Sequence, residues 1–278
     1  MIAFSWYGGK YSHLDWLLPL LPDTPSYCEP FGGSAAVLLN RKPCGTETYN
    51  DADGEIVNFF RVLREQRDEL LTQLELTPYS REEFIKAIEN EESISDLEKA
   101  RRFYIKARMS FNSRTGALRK GDWGFSKSGT SRNMAKRVSA WLKSFDGLVD
   151  VAVRLRQVQI ENDNAISIIQ RYDSEETLFY CDPPYPFESR GRNEQRYNLE
   201  MTDDEHVDLA HCLYGVQGLV AVSGYRCDMM DSLYKSWNRY DAPAKRLPSS
   251  GDDKTEKAEC LWTNYDVNKF KSSQARLL

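Results

Sequence analysis

Six short runs rich in β-branched, aromatic and other apolar residues recur along the chain, with helically patterned segments between them. They are SYCEPF (Ser26 to Phe31), TETYND (Thr46 to Asp51), VQIEN (Val158 to Asn162), TLFYC (Thr177 to Cys181), GLVAVSGY (Gly218 to Tyr225) and ECLWTNY (Glu259 to Tyr265). Runs such as TLFYC and GLVAV are apolar on both of the alternating faces of a strand, so both faces must be covered. Strands alternating with helices predict an α/β fold, a largely parallel sheet with helices on each side. After the second run, Ile56, Phe59, Phe60, Leu63, Leu70 and Leu74 fall at helical spacing and predict one long amphipathic helix. GGSAAVLLNR, after the first run, reads as a turn that starts a helix. Thr202 and Glu205 form the capping box of a later helix.

The rhythm is interrupted between the second and third runs. Residues 61–156 read as an inserted, mostly helical domain, and 1–60 with 157–278 as the α/β domain around it. Ser80 and Glu83 make a capping box for the first of two further helices, up to the segment FYIKARMSF. NSRTGALRKGDWGFSKSGTSRN is rich in Gly, Ser and basic residues and reads as loop or hairpin, and MAKRVSAWLKSFDGLVDVAVRLR returns to helix. Charge marks the same block. Arg101 to Arg156 holds 14 Lys/Arg against 3 Asp/Glu, a local +11 that leaves −16 for the rest of a chain whose total is −5. Such asymmetry is the footprint of a polyanion-binding region. The competing reading is a solvated helical face whose basic residues pair with acidic neighbours.

Other classes fit poorly. No apolar run reaches the roughly 18 residues of a membrane span; LDWLLPLLP is short and broken by Pro19. The first residues lack the basic start and apolar stretch of a signal peptide, so a cytoplasmic location is expected. The 6 cysteines form no C-x-x-C pair and are expected to be free thiols. His206 and His211 are badly spaced for one helix face, and no metal site is expected.

Ligands of open α/β sheets sit at the C-terminal ends of the strands, and three motifs fall there. In EPFGGSAAV (Glu29 to Val37) two glycines let backbone approach a ligand, and a helix N-terminus there would offer unpaired N–H groups. Asp51 ends its strand 18 residues after Gly33, a spacing at which an acid holds ribose hydroxyls; the alternative is a helix N-cap, from Asp51 or Asp53. In DPPY (Asp182 to Tyr185) the prolines fix the turn and remove two N–H donors. An acid, a carbonyl and a flat ring together suit a planar amino group, with two acceptors for its hydrogens and a surface for its ring.

FSWYGGKYSHL, EPFGGSAAV, YNDADGEIVNFF and YCDPPY occur in this order, with ECLWTNY near the end. Together they resemble the Dam-type DNA adenine methyltransferases of the D12 class, alpha group, over about 1–60 and 157–265. The resemblance implies a Rossmann-like S-adenosylmethionine-dependent methyltransferase sheet with an inserted DNA-recognition domain, acting on the 6-amino group of adenine in double-stranded DNA by base flipping. It implies that Trp6, Tyr7, Gly8, Gly9 and Lys10 line the S-adenosylmethionine site. Glu29, Pro30, Phe31, Gly33 and Ser34 would hold its methionine part, Asp51 its ribose, and Asp163 (or Asn162 or Asn164) its adenine. Asp182, Pro183 and Tyr185 would receive the target base, Asp182 also bordering the cofactor. Asn112, Arg114, Arg119, Lys120, Lys127, Arg132, Arg190 and Arg192 are the expected DNA contacts. A monomer or weak dimer is expected. The alternatives are methylation of a cytosine amino group or of an RNA adenine, and a non-catalytic DNA-binding protein on a relic cofactor fold.

Overall fold

The computed structural model describes all residues except Ser5, Tyr7, Asn90, Glu92, 112–117, 191–198, 244–258 and 270–278, with the backbone alone for Arg190. Among the described residues the strands are β1 (Ser26–Glu29), β2 (Thr46–Asn50), β3 (Thr130–Ser131), β4 (Met134–Ala135), β5 (Gln159–Glu161), β6 (Thr177–Cys181), β7 (Leu219–Tyr225), β8 (Asn238–Asp241) and β9 (Glu259–Thr263). Seven form one sheet in the order β5-β2-β1-β6-β7-β9-β8. The pairs β5·β2, β2·β1, β1·β6 and β6·β7 are parallel, while β9 runs antiparallel to both β7 and β8. From β1 the chain builds outward through β2 to β5, then returns to β6 on the other side of β1. The order therefore reverses between β1 and β6, and their C-terminal ends flank the crevice that such a switch creates.

All six predicted strands are present, and the apolar runs are explained by what covers them. Leu178 and Tyr180 of β6 face one hydrophobic cluster, with Phe4, Phe59, Phe60 and Leu155. Phe179 and Cys181 face the other, with Ile168, Ile169, Leu209 and Trp262. The first cluster continues into the inserted block through Phe84, Phe103, Tyr104 and Trp141. Phe4 stands edge-on to Phe59 and to Phe103, with ring centroids 5.4 and 5.1 Å away. Insertion and sheet thus share one continuous core.

Several local expectations change. GGSAAVLLNR forms no helix. Gly33 (φ 48°) and Ala35 (φ 54°) occupy the left-handed region, so the chain closes a compact turn, with the Leu39 and Arg41 N–H groups donating to the Ala35 and Val37 carbonyls. The long helix is two, Gly54–Glu65 and Arg67–Leu76, because Gln66 leaves helical geometry at φ −129°, ψ 42°. The first of them runs through the expected 60/61 boundary. Ser80 caps its helix through the Glu82 N–H, but Glu83 turns away to Arg101, leaving the box half made. Thr202 and Glu205 do form a complete box. MAKRVSAWLKSF starts as β4 rather than helix: Arg132 and Asn133, at φ 51° and 59°, make the tight link of the β3–β4 hairpin. Helices Lys136–Lys143 and Leu148–Leu155 follow. Edge strand β8 and helix Asp228–Leu233 were not foreseen.

Part of the basic excess is spent inside the protein. Arg101 pairs with Glu98 and Glu83, Arg102 with Glu98 and Glu91, and Lys106 with Glu55. Arg154 is buried: its Nη2 lies 2.7 and 2.6 Å from the two carboxylate oxygens of Glu47, a residue that also has Arg41 at 3.6 Å. Removing one partner of a buried ion pair strands the others without compensation. Glu47→Ala is therefore expected to cost about 3–5 kcal/mol in urea unfolding. A loss below about 1 kcal/mol, the range of exposed pairs, would show that this network does not anchor the insertion.

Candidate active site

A cavity of about 420 Å³ opens at the C-terminal ends of β1, β2 and β6. Its size falls within the roughly 300–1,000 Å³ of ligand pockets. Trp6, Gly8, Gly9, Lys10, Glu29, Pro30, Phe31, Gly33, Ser34, Asp51 and Asp182 all line it. Of the expected cofactor residues, Tyr7 lies outside the described residues, and Asp163 is not on the wall.

The three carboxylates stand in different surroundings. Glu29 ends β1 and is buried; its Oε1 accepts the Tyr27 hydroxyl at 2.6 Å. Burial raises its proton affinity and pushes its pKa up to about 8, against the pull of Tyr27, the Leu38 N–H and Arg41. Asp51 accepts the Gly33 N–H on one oxygen and the Asp53 N–H on the other, both at 2.8 Å. Burial lifts its pKa to about 6, and those two hydrogen bonds oppose the rise. The helix cap that sequence alone left open belongs to Asp53, whose Oδ1 accepts the Glu55 N–H. Asp51 is thus free of capping and clasps the glycine turn. Gly32 in that turn is obligatory, since a Cβ there would meet the Tyr49 ring at 2.1 Å.

Asp182 follows β6 at the mouth of the crevice. Lys10 Nζ lies 2.7 Å from each of its oxygens, and Ser223 Oγ donates to Oδ1 at 2.7 Å. Lys10 is only 4% exposed and also donates to the Gly8 carbonyl. Burial alone would lower its pKa; the Asp182 and Glu259 carboxylates outweigh that and hold it above the ordinary lysine value. Lys10 is therefore a buried cation rather than a surface one.

The rest of the expected set is more dispersed. Pro183 is buried between the lining residues Asp182 and Pro184. Tyr185 is 3% exposed and off the wall: Lys10 Nζ lies 4.9 Å from its ring centre, Tyr225 packs edge-on at 4.8 Å, and its hydroxyl donates to Glu259. Asp163 turns outward, its carboxylate accepting the Asn164 N–H and pairing with Arg171 at 2.9 Å. Asn164, Ala165 and Ile166 line the cavity in its place. Ser223 and Glu259 went unnoticed because each reaches the site only through strand pairing.

Among the expected DNA contacts, Asn112, Arg114 and Arg192 lie outside the described residues, as does the Arg190 side chain. Arg119, Lys120 and Lys127 are exposed. Arg132 sits at the hairpin tip with its guanidinium folded onto the Ser139 hydroxyl and carbonyl. All 6 cysteines are free thiols. Among the described residues no helix is long and apolar enough to cross a membrane, and no group of His, Cys, Asp and Glu could hold a metal ion.

Glu29 sets a pH dependence. Its folded pKa, about 8, lies above the ordinary 4.5, so between those values the folded chain keeps a proton that the unfolded chain has released. Stability therefore falls as pH rises through that window. Glu29→Gln removes the effect: thermal unfolding is expected to show the variant gaining on the parent from pH 5 to about 8. Parallel curves would mean that Glu29 is ionised throughout.

No curated protein matches this chain. The family model of D12 class N6 adenine-specific DNA methyltransferases matches residues 6–247, a span that carries the Trp6–Lys10 segment, the glycine turn, Asp51, the inserted block and Asp182. With most of the chain matched and the motif residues gathered around one crevice, the chain belongs to the D12 class of N6 adenine-specific DNA methyltransferases, enzymes that methylate adenine in DNA.

Proposed function

We propose that this enzyme transfers the methyl group of S-adenosylmethionine to the 6-amino group of an adenine turned out of double-stranded DNA. The observation that carries the reading is Asp182, a carboxylate fixed by Lys10 and Ser223 at the edge of the cavity that also presents Glu29 and Asp51.

The residues present fit that cofactor. Glu29 offers a buried acid for an ammonium group, beside Gly32 and Gly33 on the cavity lining. Asp51 keeps lone pairs for a diol after accepting two N–H groups. Asn164, Ala165 and Ile166, with Ile56, supply a polar and apolar wall for a purine. When bound, the cofactor supplies a methyl group on a positively charged sulfur.

The protein's share of the chemistry is positioning and fixed charge. An adenine amino group is a weak nucleophile because its lone pair is delocalised into the ring. Hydrogen bonds from that group to the Asp182 carboxylate and the Pro183 carbonyl favour a pyramidal nitrogen with the pair localised on it. Asp182 is held from two sides before substrate arrives, so little reorganisation is needed. The surplus proton of the methylated nitrogen passes to the same carboxylate.

A stacked adenine cannot reach this crevice, and extrusion costs a few kcal/mol. Exposed Arg119, Lys120 and Lys127 in the inserted block supply phosphate contacts that offset it. Stacking of the base on Tyr185 requires one face of that ring to be uncovered when DNA engages.

Asp182→Ala tests the assignment. Single-turnover methyl transfer at saturating cofactor and DNA is expected to fall at least about 100-fold, the low end for a positioned proton-transfer group. DNA affinity, which rests on the basic block, should change little. A variant that transfers methyl groups at close to the parent rate would make DPPY a structural turn.

A further inference from the structure

Glu259 opens β9, 74 residues after Tyr185 and beyond the 6–247 span of the family match. Antiparallel pairing with β7 sets it opposite Tyr225, whose ring packs on Tyr185. The side chain is 5% exposed. One oxygen, Oε1, accepts the Tyr185 hydroxyl and lies 3.5 Å from Lys10 Nζ. That lysine in turn touches both oxygens of Asp182 at 2.7 Å. Two carboxylates from separate strands therefore share one buried ammonium, and the second also holds the ring of the DPPY turn. Burial raises the Glu259 pKa, against the pull of Lys10, so the group is not an easy one to keep here. A buried ion pair is a weak source of stability, since apolar replacements of similar volume are often neutral or better. What Glu259 gives is placement.

We infer that Glu259 is a positioning residue for methyl transfer, holding the Lys10 ammonium and the Tyr185 hydroxyl and so setting the orientation in which Asp182 meets the amino group. This rests on the assignment of Asp182 above. With Glu259 neutral, Asp182 is the sole carboxylate partner of Lys10 among the described residues. The ammonium then draws in against the oxygens that the substrate amino group must use. The chemical step slows while phosphate contacts made elsewhere are untouched.

The test is Glu259→Gln, which keeps the shape and the acceptor for Tyr185 but removes the charge. Single-turnover methyl transfer is expected to drop at least about tenfold, the effect of roughly 1.4 kcal/mol in the barrier, with DNA affinity unchanged and the thermal midpoint close to the parent's. In a Lys10→Met background, Glu259→Gln should cost less than twofold, because its route to Asp182 is already gone. A folded E259Q with the parent rate overturns the inference, and so does a full multiplicative loss in the Lys10→Met background. If E259Q unfolds, Glu259→Asp keeps the charge but withdraws it by one methylene; it is expected to fold and be slow, and a folded E259D at the parent rate overturns the inference equally. Parent enzyme that fails to methylate duplex adenine would instead remove the reading of Asp182 on which this rests.

Discussion

The Lys10 ammonium is shut away from water, and an ammonium can be buried only where anions compensate it. Asp182 from the end of β6 and Glu259 from the start of β9 do so. The fold brings them together because β6 runs parallel to its neighbours and β9 antiparallel, so the end of one strand and the start of the other lie at the same edge of the sheet. Lys10 is thereby tied to the C-terminal half of the molecule. Asp182 is left rigid and hydrogen-bonded, with Ser223 on its other side.

The opposite wall depends on backbone conformation more than on charge. Between β1 and β2 the chain takes up left-handed geometry at Gly33 and again at Ala35, a residue that pays for it sterically. Asp51 holds the first of these through the Gly33 N–H, and Tyr49 donates its hydroxyl to the Gly33 carbonyl. The same turn runs on to Leu38, whose carbonyl accepts Arg154 from the inserted block. This cavity wall and the insertion are thus joined by a direct hydrogen bond as well as by a shared core.

Much of this was legible in the sequence, for physical reasons that can be named. Apolar runs of strand length mark a sheet covered on both faces, and every predicted strand formed. Asp51 ends such a run, Asp182 follows one and Glu29 lies in the second half of one, and strand ends converge in a parallel sheet. What stayed hidden depends on tertiary context. Nothing about Ala35 announces a positive φ, so GGSAAV passed for a helix start. Gln66 is a good helix former, yet the helix breaks there. β8, Asn-Arg-Tyr-Asp, is a mostly exposed edge without an apolar pattern. Ser223 and Glu259 gain their roles from strand register, which neighbouring residues do not encode. Arg101, Arg102, Lys106 and Arg154 counted toward a basic surface until the fold showed their acidic partners.

The central claim, that methyl groups pass from S-adenosylmethionine to adenine of duplex DNA at the Asp182 crevice, is tested most directly by following the methyl group. Unmethylated duplex is incubated with the enzyme and cofactor bearing a deuterated methyl group, then digested to nucleosides for mass spectrometry. The account predicts N6-methyl-2′-deoxyadenosine carrying all three deuterium atoms of the methyl group. Deuterium in methylated cytosine, or in no nucleoside at all, would contradict it.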